Sequence, residues 1–420
     1  MPSPRSLVQF LALGSIAIAA GAGTSRMWAQ EGATRAFTGA TLIDGTNRPA
    51  VANATLLVRD GRVVAAGSAA QVSIPAGAVR VPLDGKVIIP GLVNSHGHVT
   101  APGDLSTYAE YGVTTIFSLG GEPESVFAAR ASQATPGLSH ARVFLAGTVL
   151  TATTADEARA QVAAVAAQKV DIVKIRVDDN LGVDRKMPSI AYKAIIVEAH
   201  KRGMRVAAHL YYLSDARDLL ASGVDFIAHS VRDSLVDAPF VAKLKSSGIC
   251  YTPTLIREIS TFAYETTPPF FTDSFFLAHA NQKWVAMMQE PARQEATRTS
   301  KSAQTYKAQL PVALKNLKTL SDAGVPIAMG TDTGPVGRFQ GFFELMEIEM
   351  MVKNAGLTPR QALTAATRDA AKCMHIDREV GTLESGKWGD FVVLDASPLI
   401  DITNIRRISA VYIAGNRVKR

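Results

Sequence analysis

Residues 87–98 read VIIPGLVNSHGH, a nearly unbroken apolar run, rich in β-branched side chains, that ends in two histidines. A run of this kind is typical of a strand buried on both faces, as in a parallel sheet or barrel. His96 and His98 stand at i and i+2, so both imidazoles leave the same face of the strand end. Two neutral imidazoles that converge there suit a divalent metal, of which zinc is the commonest. The alternative is a solvated loop histidine beside a structural one.

The composition is that of a large folded protein. The chain has 420 residues, of which 47% are hydrophobic and 19% charged, which suits a large core and is inconsistent with disorder. A net charge of +7 is mild, and no Lys/Arg run with interleaved aromatics occurs, so we expect no nucleic-acid binding. The two cysteines, Cys250 and Cys373, exclude a disulfide framework and any cysteine-rich metal site. We expect the core to hold without a disulfide.

The first 29 residues differ from the rest of the chain. Arg5 precedes an apolar segment from Leu7 to Ala20, and Ala29 supplies a small residue at a cleavage position. This layout is that of a secretory signal peptide. A membrane anchor is the alternative, but about 20 apolar residues are usually needed to span a bilayer, and this segment is shorter. We therefore expect a periplasmic or secreted protein with no stable membrane span after signal cleavage.

Both ends of the chain carry short strands separated by turns. Residues 55–67 read TLLVRDGRVVAAG, two apolar runs joined by an Asp-Gly pair, which is a strong hairpin signal. Strands of the same kind return at residues 410–418. We interpret residues 30–86 plus 380–420 as one small β-sandwich domain, split around a central insertion at residues 87–379.

Between these ends, short apolar strands alternate with segments of helical periodicity. Eight strand candidates occur, at residues 87–94, 113–119, 143–146, 172–177, 206–208, 226–228, 248–252 and 326–329. Eight strands in strict alternation with helices predict an α/β fold whose parallel sheet closes into a (β/α)8 TIM barrel. A doubly wound open sheet is the alternative, but no glycine-rich dinucleotide turn occurs.

Polar side chains follow the predicted strands at the ends where barrel enzymes carry their chemistry. They are His96 and His98 after the first strand, Lys174 in the fourth, His209 after the fifth, His229 after the sixth and Asp332 after the eighth. The other four histidines (His140, His200, His279 and His375) lie in helical or loop contexts. A chance scatter would rarely place six such residues at matching ends, so we predict that they form one site.

These residues and the segments around them resemble the amidohydrolase superfamily, in the branch of imidazolonepropionase-like and metal-dependent prolidase-like enzymes. The resemblance lies in residues 90–98, 170–175, 206–209, 223–229, 330–333 and 381–394 and covers nearly everything after the signal peptide. The chain departs from prolidase-like members after the third strand. There, residues 146–150 read AGTVL in place of a Gly-Gly-His-Gly-type segment, so a substrate-binding histidine is absent.

The resemblance implies a binuclear metal centre. One divalent metal, most simply zinc, would be held by His96, His98 and Asp332, and a second by His209 and His229, with carboxylated Lys174 as the bridging ligand. Independently of the resemblance, Lys174 lies between apolar neighbours, where burial lowers the pKa of the amine and leaves it free to add CO2. The alternative is a lysine whose stem packs while its head reaches solvent.

The chemistry that follows is metal-assisted hydrolysis. Two metals would polarise a carbonyl and lower the pKa of a bound water to about 7, which supplies metal-bound hydroxide at neutral pH. Asp332 would accept the hydroxide proton and pass it to the leaving group. We expect an exported amidohydrolase that cleaves an amide C–N bond in an N-acyl amino acid, a dipeptide-like or a cyclic amide substrate. A lactonase- or phosphotriesterase-like esterase and a catalytically inert metal-binding barrel are the alternatives.

Two loop residues and one insertion are candidates for substrate binding. Tyr211 and Arg232 lie just beyond His209 and His229, and each could bind a substrate carboxylate, Arg232 as a bidentate fork. Arg232 could instead form a local ion pair with Asp233. After the seventh strand, residues 253–310 form a long insertion rich in aromatic residues and methionine. Such a segment suits a lid over a hydrophobic acyl group or, equally, helix packing or a contact within a homo-oligomer.

Overall fold

The computed structural model describes residues 33–419. The segment predicted to be a signal peptide lies outside the described residues. Within residues 33–419, no helix combines the length and the hydropathy that a bilayer crossing requires.

The described chain consists of strands and helices that alternate through its central part. The strands are β1 (Arg35–Leu42), β2 (Val51–Arg59), β3 (Arg62–Ser68), β4 (Val79–Pro82), β5 (Val87–Pro90), β6 (Leu92–Gly97), β7 (Val113–Ser118), β8 (Arg142–Leu145), β9 (Val173–Arg176), β10 (Val206–His209), β11 (Phe226–Ala228), β12 (Cys250–Thr252), β13 (Phe391–Leu394), β14 (Ile408–Ile413) and β15 (Asn416–Arg417). The α-helices are α1 (Asp104–Glu110), α2 (Glu124–Ser132), α3 (Ala155–Ala167), α4 (Ser189–Lys201), α5 (Leu213–Ala221), α6 (Ala238–Ser247), α7 (Leu255–Ser260), α8 (Ser274–Leu277), α9 (Gln282–Met288), α10 (Pro291–Thr299), α11 (Lys301–Asp322), α12 (Phe342–Lys353), α13 (Pro359–Ala365) and α14 (Arg368–Cys373).

An eight-stranded sheet draws its strands from both ends of the chain. Its order is β15-β14-β13-β5-β1-β2-β3, with β4 paired to β1. The hairpin predicted at Asp60 and Gly61 joins β2 to β3, and both turn residues have positive φ (50° and 76°), as a type I′ turn requires. The rings of Phe37, Phe391 and Tyr412 pack together in its core. The two ends of the chain therefore share one sheet.

The apolar run that opens at residue 87 forms two strands, so the single strand predicted over residues 87–94 is wrong. β5 pairs with β1 and β13 in the eight-stranded sheet, whereas β6 pairs with β7 in a parallel sheet. The chain changes sheets at Gly91, whose amide donates to the Asp390 carbonyl (2.9 Å). A Cβ at Gly91 would lie 2.0 Å from the hydroxyl oxygen of Thr114. All residues of β6 are buried, as predicted.

Seven parallel strands and an eighth extended segment carry the candidate site. β6, β7 and β8 form one sheet, and β9 to β12 form another, each in sequence order. Isolated bridges join the loop after β8 to β9, and β12 to residues 326–329. The Ser95 amide donates to the Met329 carbonyl (2.9 Å), which brings this eighth segment back beside β6. The eighth strand predicted at residues 326–329 is thus a bridged segment, not a regular strand.

Cys250 and Cys373 form a disulfide, so the expectation of a core without one is wrong. Cys250 begins β12 and Cys373 ends α14, 123 residues further on, with their Cα atoms 5.8 Å apart. A spacing of this size carries no pairing signal, because only the packing of α14 near the start of β12 brings the two thiols together. Protein disulfides persist in oxidising compartments and are rare in the reducing cytosol.

The insertion at residues 253–310 folds into α7 to α10 and the first part of α11. Its buried Phe271 and Phe276 stack with ring centroids 5.6 Å apart, and Phe276 lies 4.9 Å from Phe339 outside the insertion. Tyr264 donates a hydrogen bond to the Gly337 carbonyl. Many of the aromatic residues of the insertion therefore serve packing.

Candidate metal centre

Three predicted ligands lie together at the end of β6 and just beyond the eighth segment. His96, His98 and Asp332 each offer one ligand atom, and these atoms lie within 4.8 Å of one another. Asp332 Oδ1 is 2.8 Å from His98 Nε2 and 3.5 Å from His96 Nε2. We call these residues the three-ligand group.

The backbone holds Asp332 beside β6 in a strained conformation. Its amide donates to the His96 carbonyl (2.6 Å), and its φ is +58°, in the left-handed region that favours glycine. At Gly330, two residues earlier, a Cβ would lie 2.5 Å from the Thr252 methyl group and 2.9 Å from the His96 Cβ. Strain of this kind persists only where the surroundings enforce it, which is common at functional sites.

The Asp332 carboxylate is ionised at neutral pH. Burial alone would raise its pKa, but the Arg338 guanidinium and the contact with His98 outweigh burial and hold the pKa of Asp332 well below its usual range. Arg338 Nη1 lies 2.5 Å from Asp332 Oδ2. Asp332 therefore offers a full negative charge to a cation among the histidines.

Lys174, in β9, extends the site. Its Nζ lies 3.3 Å from His96 Nε2, and the residue is 3% exposed. Burial lowers the pKa of Lys174 to about 7, so a large share of the amine is neutral at pH 7. The head group does not reach solvent, which contradicts the alternative of a packed stem with an exposed ammonium.

His209 and His229, at the ends of β10 and β11, form a second pair beside the first group. Their ring centroids are 4.1 Å apart, and the His229 ring lies 4.4 Å from the His96 ring. Burial lowers the pKa of His209 to about 4 and the pKa of His229 well below its usual value. Both rings are therefore neutral at pH 7, the form that binds metal. This histidine pair lies outside the compact three-ligand group.

In three of the four histidines, a neighbouring group forms a hydrogen bond with one ring nitrogen and so fixes the orientation of the ring. These contacts are His98 Nδ1 to the Gly120 carbonyl (3.1 Å), His209 Nε2 to Asp178 Oδ2 (3.0 Å) and His229 Nδ1 to Thr254 Oγ1 (2.8 Å). A ring nitrogen that donates to a carbonyl or carboxylate leaves the other nitrogen free to bind a metal. The buried Nε2 of His229 and Nδ1 of His96 have no hydrogen-bond partner among the described residues. The donor set therefore fits divalent metals.

Asp178 is a site residue that the sequence analysis missed. It lies just beyond β9 and, besides His209, accepts a hydrogen bond from Arg176 Nε (3.1 Å). Burial opposes its charge, but His209 and Arg176 lower the pKa of Asp178, so it is a carboxylate. Its position carried a signal, because Asp178 lies two residues beyond the end of β9, the strand that contains Lys174.

Glu344 of α12 is a second carboxylate that the sequence analysis missed. It forms hydrogen bonds with residues of β6 and of the loop that carries Asp332. Its Oε1 accepts hydrogen bonds from Asn94 Nδ2 (2.6 Å), Thr331 Oγ1 (2.7 Å) and Thr333 Oγ1 (2.5 Å). The Oδ1 of Asn94 in turn accepts from the His96 amide (2.9 Å). Burial raises the pKa of Glu344. No spacing in the sequence links this helix residue to the strand ends.

The predicted substrate residues Tyr211 and Arg232 are buried beside the site. Arg232 Nε lies 3.1 Å from Glu258 Oε2, and the guanidinium stands 4.6 Å from the Tyr211 ring centroid. Asp233 instead accepts a hydrogen bond from the Leu213 amide (2.8 Å). Arg232 therefore pairs with Glu258 of the insertion, and the alternative of a local Arg232–Asp233 pair is not what the structure shows.

Two further arginines, also missed, flank Asp332. Arg338 lies in the loop that follows it, and Arg257 lies in α7, with Nε 3.7 Å from Asp332 Oδ2. Arg257 Nη1 is 3.4 Å from Glu258 Oε2, and its guanidinium stands 4.4 Å from the ring centroid of Tyr306 in α11. Neither arginine directly follows a strand, so the pattern of polar residues at strand ends does not indicate them.

Neutral histidines and an ionised aspartate at the ends of parallel strands are the features of a metal-dependent hydrolase. The sequence model of the amidohydrolase family matches residues 87–418. The chain therefore belongs to the amidohydrolase family, as predicted, and is a metal-dependent hydrolase that acts on carbon–nitrogen bonds.

Individual relatives agree with this assignment. An imidazolonepropionase of Streptomyces coelicolor is 27% identical over 374 residues, which cover 82% of this chain and 86% of the relative. A Bifidobacterium longum protein, proposed to be a prolidase, superposes with a TM-score of 0.77 at 26% identity, over 92% of this chain and 95% of that one. The ochratoxinase of Aspergillus niger shares the fold with a TM-score of 0.72 at 20% identity, over 92% and 96% of the two chains. The fold is thus TIM-barrel-like α/β.

Proposed function

We propose that this protein is an exported binuclear metal-dependent amidohydrolase that cleaves an amide C–N bond in a small molecule. The observation that carries the proposal is the convergence of four histidines, a buried amine and an ionised carboxylate at one end of the parallel strands. The substrates that we expect are N-acyl amino acids, dipeptide-like amides or cyclic amides.

We further propose that residues 91–379 form a closed (β/α)8 barrel and that residues 30–90 plus 380–420 form a β-sandwich domain. The bridges from β8 to β9 and from β12 to the eighth segment, with the return of that segment to β6, support closure. The sheet shared by both chain ends supports the split domain. β5 belongs to that sheet, so the boundary moves to Gly91.

We propose that the centre holds two divalent metals, with zinc as the expected ion. The three-ligand group would hold one and the histidine pair the other, with Lys174, carboxylated on Nζ, as the bridging ligand. Imidazole and carboxylate donors suit zinc, and the unpartnered Nε2 of His229 supports a ligand there. When bound, the metals would polarise the scissile carbonyl and lower the pKa of a coordinated water.

Asp332 is the residue that we propose to move the proton. Its Oδ1 faces the histidines of the three-ligand group, whereas its Oδ2 faces Arg338 and Arg257. A carboxylate in this place can take a proton from the attacking water and deliver it to the leaving nitrogen.

Tyr211 and Arg232 are proposed to help bind the substrate. The hydroxyl of Tyr211 and the Nη2 of Arg232 are buried and have no hydrogen-bond partner among the described residues. Both can donate to a hydrogen-bond acceptor of the substrate. The aromatic ring of Tyr211 also fixes the Arg232 guanidinium by a cation–π contact.

Export is supported by the disulfide between Cys250 and Cys373, because such a bond persists in an oxidising compartment. We expect the full chain, expressed in a bacterial host, to fractionate with the periplasm and to lose its N-terminal segment. Recovery of the unprocessed chain in the reducing cytosol would contradict export.

Elemental analysis combined with a hydrolysis panel tests the proposed activity. We expect close to two divalent metals per chain and cleavage of N-acyl amino acids, dipeptides or cyclic amides in preference to lactones and phosphotriesters. Chelation should abolish the activity, and added zinc should restore it. Full activity with only background metal would contradict the metal role, whereas a fully metallated but inert protein would support a barrel without catalysis.

A further inference from the structure

Two arginines from different segments converge on one oxygen of Asp332. We propose that Arg257 and Arg338 form an anion subsite that receives a carboxylate group of the substrate and so selects acidic amides. This inference rests on the proposed function, because it assumes that Asp332 is committed to a metal.

The geometry of the anion subsite comes from two separate parts of the chain. Arg338 Nη1 lies 2.5 Å from Asp332 Oδ2 and 3.3 Å from the Asp332 carbonyl. Arg257, from the insertion after β12, brings its Nε to 3.7 Å from the same Oδ2. Two positive side chains therefore meet on the side of Asp332 opposite the histidines, next to the proposed reacting centre.

Burial opposes the charge on Arg257, and the neighbouring carboxylates of Glu258 and Asp332 compensate it. The residue is 7% exposed, and its buried Nε has no hydrogen-bond partner among the described residues. The Tyr306 ring covers one face of the guanidinium. A buried guanidinium is stable only when a negative group compensates it.

The carboxylates nearby are too few for the arginines. Glu258 Oε2 lies 3.1 Å from Arg232 Nε and 3.4 Å from Arg257 Nη1, so one carboxylate serves two guanidinium groups. Asp332 is the only other carboxylate that the ion pairs among the described residues place against Arg257, and it also pairs with Arg338. Three positive groups thus share two negative ones.

Metal binding makes this imbalance larger. When Asp332 ligates a cation, its negative charge compensates that cation, and Arg257 and Arg338 lose much of their counter-charge. A substrate carboxylate restores the balance, and its two oxygens match the planar fork of an arginine. In an N-acyl amino acid, the carboxylate is borne on the carbon next to the amide nitrogen. An anion in this subsite would therefore bring the scissile bond beside Asp332.

Calorimetric titration of the metal-loaded full chain tests the anion subsite with two probes that cannot be hydrolysed. Hydrocinnamate carries a carboxylate, and benzylacetone replaces it with a neutral methyl ketone of similar size. We expect hydrocinnamate to bind about tenfold tighter, because a hydrogen bond from a guanidinium to a carboxylate is stronger than one to a neutral carbonyl. Equal Kd values for the two probes would overturn the proposal.

Variants assign the preference to the two arginines. Arg257→Met and Arg338→Met should each reduce the preference for hydrocinnamate about tenfold and leave the Kd of benzylacetone nearly unchanged. Arg338→Lys should keep part of the preference, because it keeps the charge but not the fork. Arg130→Met is the matched control, since Arg130 pairs with Asp171 near the start of β9, away from the site.

Two outcomes separate this proposal from the proposed function. Each variant is reconstituted to the metal content of the parent before titration, so a carboxylate bound to metal alone would persist in both methionine variants. Persistence of the full preference in both would overturn the anion subsite. If the parent prefers hydrocinnamate but cleaves no amide in the panel, the subsite stands and the proposed hydrolysis fails.

Discussion

The two halves of the candidate metal centre differ in how they are assembled. In the three-ligand group, the ligand atoms already lie within 4.8 Å of one another, and Asp332 contacts His98 directly. In the histidine pair, His209 is turned toward Asp178, and the Nε2 of His229 has no partner among the described residues. The histidines of both halves lie at the ends of strands. The order of the strands therefore brings the ligand residues near one another. The residues that hydrogen-bond to each ligand determine which of its atoms faces the metal site.

The backbone explains much of this difference. Asp332 is bonded through its own amide to the carbonyl of His96, so two members of the three-ligand group are fixed by one main-chain contact. His209 and His229 follow the neighbouring strands β10 and β11, and side chains hold their rings: Asp178 for His209 and Thr254 for His229. We therefore expect the first half to tolerate loss of a neighbouring side chain better than the second.

Removal of the charge on Asp332 should have the largest effect on activity. Asp332→Asn should keep the fold and some metal, because an amide oxygen still coordinates weakly. It should lower kcat by about 10²–10⁴-fold, since an amide cannot accept the proton. The measurement is kcat together with metal content, and the fall in kcat should exceed the fall in occupancy. Asp156→Asn, at an exposed pair with Arg159, is the control that should change neither.

Near-parental turnover by Asp332→Asn with both metals bound would show that the proton moves through another group. The three-ligand group would then be a purely structural half of the centre.

Replacement of Lys174 should remove the proposed bridge between the two halves of the metal centre. Lys174→Ala removes the amine that lies 3.3 Å from His96 Nε2 and that we propose to bridge the two metals, so we expect metal content to fall and most activity to be lost. Short carboxylic acids such as propionate should partly restore both, because they supply the missing anion. A crystal structure with an unmodified Lys174 amine and two bound metals would contradict the bridging role.

Much of the site could be predicted from the sequence, because apolar runs mark the strands and therefore the positions at which they end. His96 and His98 follow a buried apolar run, and the remaining predicted ligands follow runs of the same kind. Once the strands alternate with helices, their carboxyl ends are expected to meet. Asp178 directly follows the predicted strand at residues 172–177, so the criterion of polar residues at strand ends would also have included it. The hairpin at Asp60 could also be predicted, because an Asp-Gly pair between alternating apolar runs is a strong signal for a two-residue turn.

The remainder could not be predicted because it depends on contacts between distant segments. Arg257 and Glu344 lie on helices, and their roles appear only when α7 and α12 pack beside the strand ends. At the break between β5 and β6, Gly91 packs against the side chain of Thr114 so closely that a Cβ would not fit, and no local pattern indicates this contact. Cys250 and Cys373 pair across 123 residues for the same reason.

A milder change should affect the histidine pair alone. Asp178→Asn weakens the partner that fixes the His209 tautomer, so we expect about 10–100-fold weaker binding of the more weakly held metal. Competition with a chelator measures the two affinities, and the metal of the three-ligand group should be retained. Asp179→Asn is the matched neighbour, since Asp179 accepts from the Tyr212 hydroxyl (2.9 Å) and no histidine. Equal losses from both sites would contradict separate support for the two halves.

The last prediction concerns the stability of the metal-free protein as a function of pH. Burial lowers the pKa of Lys174 from 10.5 to about 7, so between these values the unfolded chain binds one more proton than the folded chain. The free energy of unfolding should therefore rise with pH, by up to about 1.4 kcal/mol per pH unit from this group. Urea denaturation in the presence of a chelator, between about pH 7.5 and 9.5, measures the slope. Lys174→Met should flatten it, whereas Lys201→Met, at a largely exposed lysine, should not. If the parent and Lys174→Met share one slope, the amine is not held neutral by the fold, and its readiness to take up CO2 would have to come from the metals instead.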